Sequence, residues 1–229
     1  MNSLAVANSS SLKTQLQSVV DLRTNVIGLS EHRLTASYQR QFDELLAEKG
    51  YSAAWGAPCK RKRFGGKVKP GGVAVLVRHP LTARAIVPDA RRQPDAHQAW
   101  EAGRLMHAAI PMGKQTLHII VVYGHPNSST CLEQRGKNEP MLRAALQLMA
   151  ELGKAPVFFV GDLNTTIEAS GELTSAIRLG HVTDLARLQD GGGKPICIPK
   201  VTSEGTRIDH LLANSTAAAF GEVSVHAWG

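Results

Sequence analysis

Val157-Phe158-Phe159-Val160-Gly161-Asp162-Leu163-Asn164-Thr165 is the stretch on which the reading of the fold turns. Four apolar residues, β-branched or aromatic, run straight into Gly-Asp-Leu-Asn-Thr. A run that short, bounded by turn formers, reads as a buried strand rather than a helix. Buried strands of this kind lie in sheets covered by helices. The polar end is then the carboxyl end of a strand, which is where ligand sites assemble in α/β folds. Taken alone, the same five residues also read as a plain turn, because Gly, Asp and Asn favour turns.

Working outward, residues 4–7, 26–29, 73–77 and 117–123 repeat the pattern of short apolar runs. Residues 208–212 and 223–228 are further strand candidates. Helical spacing alternates with these runs. Leu12, Leu16, Val19 and Val20 share a face behind a serine cluster that can cap a helix. Phe42, Leu45 and Leu46 mark a second helix, closed by Gly50. The spacing predicts a third helix that starts after Asn138, has Pro140 in its first turn and ends at Gly153. Its inward face is Met141, Leu142, Ala145, Leu148, Met149 and Leu152. Leu173 and Ile177 predict a short fourth helix ending near Gly180. There is no obvious linker and no repeat at solenoid periods, so residues 1–229 read as one α/β domain with strands enough for two sheets.

Composition narrows the class. A chain of 229 residues supports one well-buried domain, and 43% hydrophobic with 20% charged residues excludes a disordered chain. No apolar run reaches the roughly 18 residues of a membrane span, and residues 1–11 do not read as a secretory signal. The expectation is an intracellular protein, nuclear or cytoplasmic, and a monomer by default. Cys59, Cys131 and Cys197 are odd in number and far apart, as free thiols are. The net charge of +7 attracts polyanions such as nucleic acid. Lys60, Arg61, Lys62 and Arg63 open a basic, glycine-containing loop, KRKRFGGKVK. That loop suits a phosphate-contacting arm or a nuclear-localisation-like patch, and equally a solvated surface loop. Gly191-Gly192-Gly193-Lys194 lacks the flanking pattern of a P-loop, and no histidine pair has the spacing of a zinc site on a helix.

Polar clusters stand at the ends of the apolar runs. Ser30-Glu31-His32 follows the second run, Tyr123-Gly124-His125-Pro126-Asn127 the fourth, and Arg207-Ile208-Asp209-His210 lies within residues 206–212. If these converge with Asp162 on one crevice, the residue types suit a hard cation such as magnesium, which takes one or two carboxylates and keeps several waters. The cation polarises a phosphoryl group, a carboxylate activates water, and Asn and Tyr side chains hydrogen-bond the non-bridging oxygens.

The order of these motifs resembles the endonuclease/exonuclease/phosphatase superfamily, with the DNase-I-like fold. The residues that carry the likeness are Asn8, Val-Ile-Gly-Leu-Ser-Glu-His-Arg-Leu (26–34), Gly-Gly-Val-Ala-Val-Leu-Val-Arg (71–78), Val-Val-Tyr-Gly-His-Pro-Asn (121–127), Gly-Asp-Leu-Asn-Thr (161–165) and Thr-Arg-Ile-Asp-His-Leu-Leu (206–212). The resemblance is nearest to abasic-site and retrotransposon endonucleases. It implies an α/β (α+β) four-layer sandwich of two mixed β-sheets flanked by helices, and Mg2+ or Mn2+ as cofactor. By position, Glu31 resembles the principal metal-binding glutamate and Asn8 the asparagine near the metal. Asp162 resembles the aspartate that activates water, and Asn164 its phosphate-contacting partner. Tyr123 resembles the tyrosine that stabilises the transition state, and Asp209 the aspartate that orients a catalytic histidine. Arg104 sits where many members have Gly-Arg before a strand, in a substrate-facing or purely structural role. His125 and Asn127, in a turn one residue longer than the family's, are candidate phosphate contacts.

Members of the superfamily end on Ser-Asp-His and one more strand, whereas this chain ends at Trp228-Gly229. His226 is a candidate substitute that lacks the preceding aspartate. The expectation is therefore an incomplete domain with its last strand missing and low activity, since Asp209 has no imidazole to orient and a sheet edge stays open. Three functions compete on these residues. They are a magnesium-dependent nuclease acting on DNA, a phosphomonoesterase for inositol phosphate or another small phosphoester, and a nucleic-acid-binding module with a decayed site.

Overall fold

A computed structural model of the chain describes residues 24–59, 71–185 and 208–219, with Gln17 and Asp21 besides. The order of elements is β1 (Val26–Ser30), α1 (Ala36–Glu48), β2 (Tyr51–Trp55), β3 (Val73–Arg78), β4 (Arg84–Ile86), α2 (Pro94–Glu101), β5 (Leu105–Met112), β6 (Gln115–Val122), α3 (Leu132–Glu151), β7 (Val157–Asp162), α4 (Gly171–Arg178), β8 (Thr183–Asp184), β9 (Asp209–Ala213) and α5 (Ser215–Ala218). The expected strands at 4–7 and 223–228 and the helix around Leu12 to Val20 lie outside the described residues.

The strands form two sheets, a three-stranded one ordered β1-β3-β2 and a six-stranded one ordered β4-β5-β6-β7-β9-β8. The small sheet is antiparallel throughout its described strands, and the large one is mixed because β6 and β7 run parallel. Pleating assigns the faces. In β3, Ala74 and Leu76 join Ile27, Leu29, Phe42 and Leu46 under α1, while Val73, Val75 and Val77 point the other way. Those valines meet Met106, Ala108, Ile110, Ile119 and Val121 of the large sheet. The opposite face of the large sheet carries Leu105, Ile120, Val122 and Phe159, which pack against Met141, Leu142, Ala145 and Leu148 of α3 and Leu173 of α4. The result is four layers, helix on sheet on sheet on helices, as the sequence implied. The sheets approach closely. A Cβ on Gly28 of β1 would lie 2.8 Å from Cγ2 of Val160 in β7. Among the described residues no helix is long and apolar enough to cross a membrane.

One sequence-based boundary is corrected. The third predicted helix starts at Leu132, about two turns before Asn138, and Pro140 lies inside it. Proline lacks an N–H and crowds the carbonyl four residues back, which is Gly136. Both Gly136 and Pro140 are exposed, so the carbonyl that loses its partner lies on the solvent side of the helix rather than in the core.

A second departure from the apolar pattern is a buried histidine pair. His107 and His118 are diagonal neighbours on β5 and β6, and Nε2 of one lies 2.8 Å from Nδ1 of the other. One neutral ring donates to the other. Burial, then the charge of His118, lowers the pKa of His107 from 6.5 to about 4, and burial lowers that of His118 as well. Between those two values the unfolded chain binds the extra proton, so stability rises with pH across that window. It is complete above about pH 6.5 and falls as the pH drops toward 4. The expected loss is ~2–3 kcal/mol for His107. Urea unfolding at several pH values checks this, and a His107→Phe/His118→Leu double variant should flatten the slope.

Candidate active site

The site forms where three strands of two sheets end at the rim of the inter-sheet core. In β7, Phe158 and Val160 face the small sheet while Val157 and Phe159 face the helices, so Asp162 continues the inter-sheet face. Asp209, first residue of antiparallel β9, stands directly opposite Asp162. Directly paired residues on adjacent strands share a face, and like charges so placed repel. Asp209 therefore begins its strand rather than ending it, and reaches the site because β9 runs against β7. Burial, then Asp209, then Glu31 raise the pKa of Asp162 to about 6, against the hydrogen bond that Asn164 N–H gives its carboxylate at 2.9 Å. Burial also raises that of Asp209.

Glu31 follows β1 with φ 56, and Arg33 has φ 54. These left-handed residues end the pleat of β1, and they are costly outside glycine. The strain is held by His32 N–H to Gly72 O (3.1 Å), Arg33 N–H to Gly71 O (3.0 Å) and Leu34 N–H to His32 Nδ1 (3.0 Å). The His32 ring is fully buried edge-on to Trp55, and burial lowers its pKa to about 4, so it is neutral. Arg33 Nε donates to Glu31 Oε1 at 3.1 Å, and Nη2 contacts the same oxygen. The Tyr123 phenol meets Glu31. Burial, then the charge and hydrogen bonding of Glu31, push its pKa far up, so it stays protonated.

Arg104 ties the Tyr123 turn in place. Its Nη1 donates to Gly124 O at 2.8 Å and Tyr123 O at 3.2 Å, and its guanidinium carbon lies 4.9 Å from the Tyr123 ring centre. Of the two readings left open for Arg104, these contacts give it a structural part, binding two carbonyls and stacking on a ring. Gly124 is compelled by crowding, since a Cβ there would lie 2.0 Å from Leu163 O. Gly161 likewise leaves 1.9 Å to Val122 O and has φ 144. These two glycines let the β6 and β7 loops touch. Asn164, at φ 50, gives one amide hydrogen to Gly124 O at 3.2 Å, so it is a turn residue and a clamp at once.

Asn138, buried in α3, was not singled out in the sequence. Its Oδ1 accepts from His125 N–H at 3.0 Å, and its Nδ2 donates to Leu163 O at 3.0 Å and Ser128 Oγ at 3.1 Å. It thus joins the loops that follow β6 and β7. Asn138→Ala strands a buried N–H and two acceptors and is expected to cost about 2–4 kcal/mol, read as a lowered urea midpoint.

The structure thus brings Glu31, Tyr123, Asp162, Asn164, Asp209 and Arg104 to one rim. His125 borders the cavity beside it, between α2 and α3. Asn127 is exposed at φ 64, its carbonyl accepts from Thr130 and Cys131 N–H, and among the described residues no hydrogen bond ties its side chain to the rim. Asn8, Lys60, Arg61, Lys62, Arg63 and His226 lie outside the described residues. His32 stands in the polar cluster read from the sequence but without a role, and Arg33, which pairs with Glu31, was not singled out.

The profile of the endonuclease/exonuclease/phosphatase family matches residues 5–229. The chain belongs to that family. Solved structures agree on the endonuclease/exonuclease/phosphatase fold. The 3′ phosphatase NExo from Neisseria, bound to a product DNA hairpin, superposes with a TM-score of 0.64 at 17% identity, over 95% of this chain and 85% of that one. TDP2 from D. rerio, complexed with a single-strand DNA product, gives 0.60 at 18% identity over 93% and 80%. The AP endonuclease LMAP from Leishmania major gives 0.62 at 16% identity over 93% and 75%. Identities this low establish the fold and leave the substrate to the site. No curated protein matches the chain by sequence.

Proposed function

We propose that the chain hydrolyses phosphodiester bonds in DNA with a divalent cation, Mg2+ or Mn2+, held at Glu31. One observation carries the reading: three carboxylates crowd the rim. Asp162 and Asp209 face each other across β7 and β9, and Glu31 adds to the pressure on Asp162. Arg33 pairs with Glu31, and a divalent cation at the rim would further offset the repulsion that raises the Asp162 pKa. The donors are hard oxygens, which suits Mg2+ or Mn2+. Among the described residues no group of three or more His, Cys, Asp and Glu side chains is placed to hold a metal ion, so the proposed ion relies on Glu31 for its protein ligand. That fits an ion that takes one or two carboxylates and fills its shell with water and substrate phosphate oxygens.

When bound, the ion supplies Lewis-acid polarisation of the phosphoryl group and stabilises the leaving oxygen. Glu31 anchors it, with Arg33 fixing one carboxylate oxygen. Asn8 belongs to the same proposed set. Asp162, whose carboxyl ionises near neutral pH, accepts the proton of the attacking water. The backbone N–H of Asn164 orients it. The second amide hydrogen of Asn164 is a donor for charge growing on the non-bridging oxygens, and the protonated Tyr123 phenol becomes another when its proton turns from Glu31 to the substrate. Asp209 holds the negative field of the rim. Lys60, Arg61, Lys62 and Arg63, with the net charge of +7, favour a polyanionic substrate over a small phosphomonoester.

Plasmid nicking that needs Mg2+, with no phosphate release from inositol phosphates, is the expected result. Phosphate release without nicking would favour the monoesterase. No cleavage at all, with salt-sensitive DNA binding that survives Glu31→Gln and Asp162→Asn, would favour a binding module instead.

A further inference from the structure

A cavity of about 430 Å³ lies between α2 and α3, beside the carboxylate rim. Small ligand sites occupy this size range. Its walls are chemically divided. Arg104, His125 and Lys137 border one part, and Ala99, Ala102 and Met141 supply apolar surface. Arg104 belongs to both the rim and the cavity. Its Nη1 holds the Tyr123 and Gly124 carbonyls, and no described residue engages its Nη2 or Nε. His125 follows Gly124 directly, with its backbone fixed on Asn138. Burial, then Arg104, then Lys137 lower the His125 pKa to about 4, so both cations act on a neutral ring. Lys137 is paired at 2.6 Å with Glu133, one turn earlier on the exposed face of α3. Such pairs are worth only a few tenths of a kcal/mol, so they give way to a phosphate. Asp95 is the acid of the opposite wall, on the first turn of α2, beside Gln98. It repels a phosphate from that side while accepting hydrogen bonds from a sugar or base.

We propose that this cavity is a substrate subsite for the nucleotide next to the scissile bond, whose phosphate lies against Arg104 and Lys137 and whose sugar and base lie against Ala99, Ala102 and Met141. The inference rests on the phosphodiesterase reading and deepens it: the substrate is a strand that continues past the broken bond. A minimal diester such as bis(p-nitrophenyl) phosphate does not fill the cavity, whereas a DNA oligonucleotide does.

Two exposed positions test this without touching the core. Lys137→Glu reverses one charge of the cavity, and Gln98→Glu adds a second acid. Lys154→Glu makes the same charge change beyond the far end of α3 as a control. Metal-free binding of a fluorescein-labelled DNA oligonucleotide is followed by anisotropy across a salt series. Lys137→Glu is expected to raise Kd about tenfold and lower the salt slope by about one phosphate contact. Gln98→Glu acts in the same direction, and Lys154→Glu leaves the slope unchanged. With Mg2+, the loss in kcat/KM for Lys137→Glu falls at least about fivefold more heavily on the oligonucleotide than on the minimal diester. Unchanged Kd and slope in both cavity variants, an equal change in Lys154→Glu, or equal losses on the two substrates would overturn the subsite. If the parent cleaves neither substrate yet binds DNA through Lys137, the hydrolase reading fails and the cavity stands as a nucleotide-binding site.

Discussion

Asp162→Asn is expected to lower kcat for DNA cleavage by about 10²- to 10⁴-fold, while the metal-free protein becomes more heat-stable. Activity falls because the proposed acceptor of the water's proton is gone and asparagine has no basic lone pair near neutral pH. Stability rises because the carboxylate it replaces is half-buried and faces Asp209 and Glu31. Asparagine keeps an Oδ1 for the Asn164 N–H, so the turn is preserved. Relief of that repulsion is worth about 1–2 kcal/mol, or roughly 2–6 °C in a domain of this size. Single-turnover cleavage and thermal unfolding without divalent metal read the two effects separately. A variant that cleaves within tenfold of the parent, or that melts lower, contradicts the assignment.

Glu31→Gln should abolish both cleavage and the response to metal. Glutamine matches the size of glutamate and removes the charge that anchors the cation, so activity falls at least about 10²-fold. The parent, at a Mg2+ concentration about a hundredfold above its Kd, should gain ~2.7 kcal/mol of stability, or ~5–10 °C. The variant should gain nothing. Loss of the Arg33 pair itself costs little, because that arginine is more than a third exposed. Asp162→Asn, in contrast, keeps the Mg2+-dependent shift. An unaltered shift in Glu31→Gln places the cation elsewhere.

Much of this arrangement is visible in the sequence wherever an apolar strand delivers a polar residue. β1, β6 and β7 announce themselves as short buried runs, and Glu31, Tyr123 and Asp162 stand directly after or at their ends. β5 does not, because its middle reads His-Ala-Ala-Ile-Pro. His107 is tolerated because His118 lies diagonally across from it on β6, a partner that exists once the hairpin has formed. Pro111 is tolerated because it sits beside the hairpin turn, paired with Thr116. β2, Tyr-Ser-Ala-Ala-Trp, has no β-branched residue and is a strand because its neighbours β3 and α1 cover it.

The site divides in the same way. The carboxylates that gather at the rim, Glu31, Asp162 and Asp209, were legible from residue type and position. Residues whose role is to hold others were not. Asn138 reads as the residue before a helix, when it is a buried clamp that ties His125 and Ser128 of one loop to Leu163 of another. Arg33 finds Glu31 only because both take left-handed backbone angles, which no spacing rule anticipates. Arg104 reads as either substrate-facing or structural, and its hydrogen-bond partners are carbonyls of a turn not yet folded in the sequence.

Crystals soaked in Mn2+ and measured at an energy where manganese scatters anomalously put the central claim to its most direct test. The account predicts a peak roughly 2 Å from a carboxylate oxygen of Glu31, on the side facing Asp162 and Asp209. A map with its strongest peak on another face of the molecule, and none at Glu31, would contradict it.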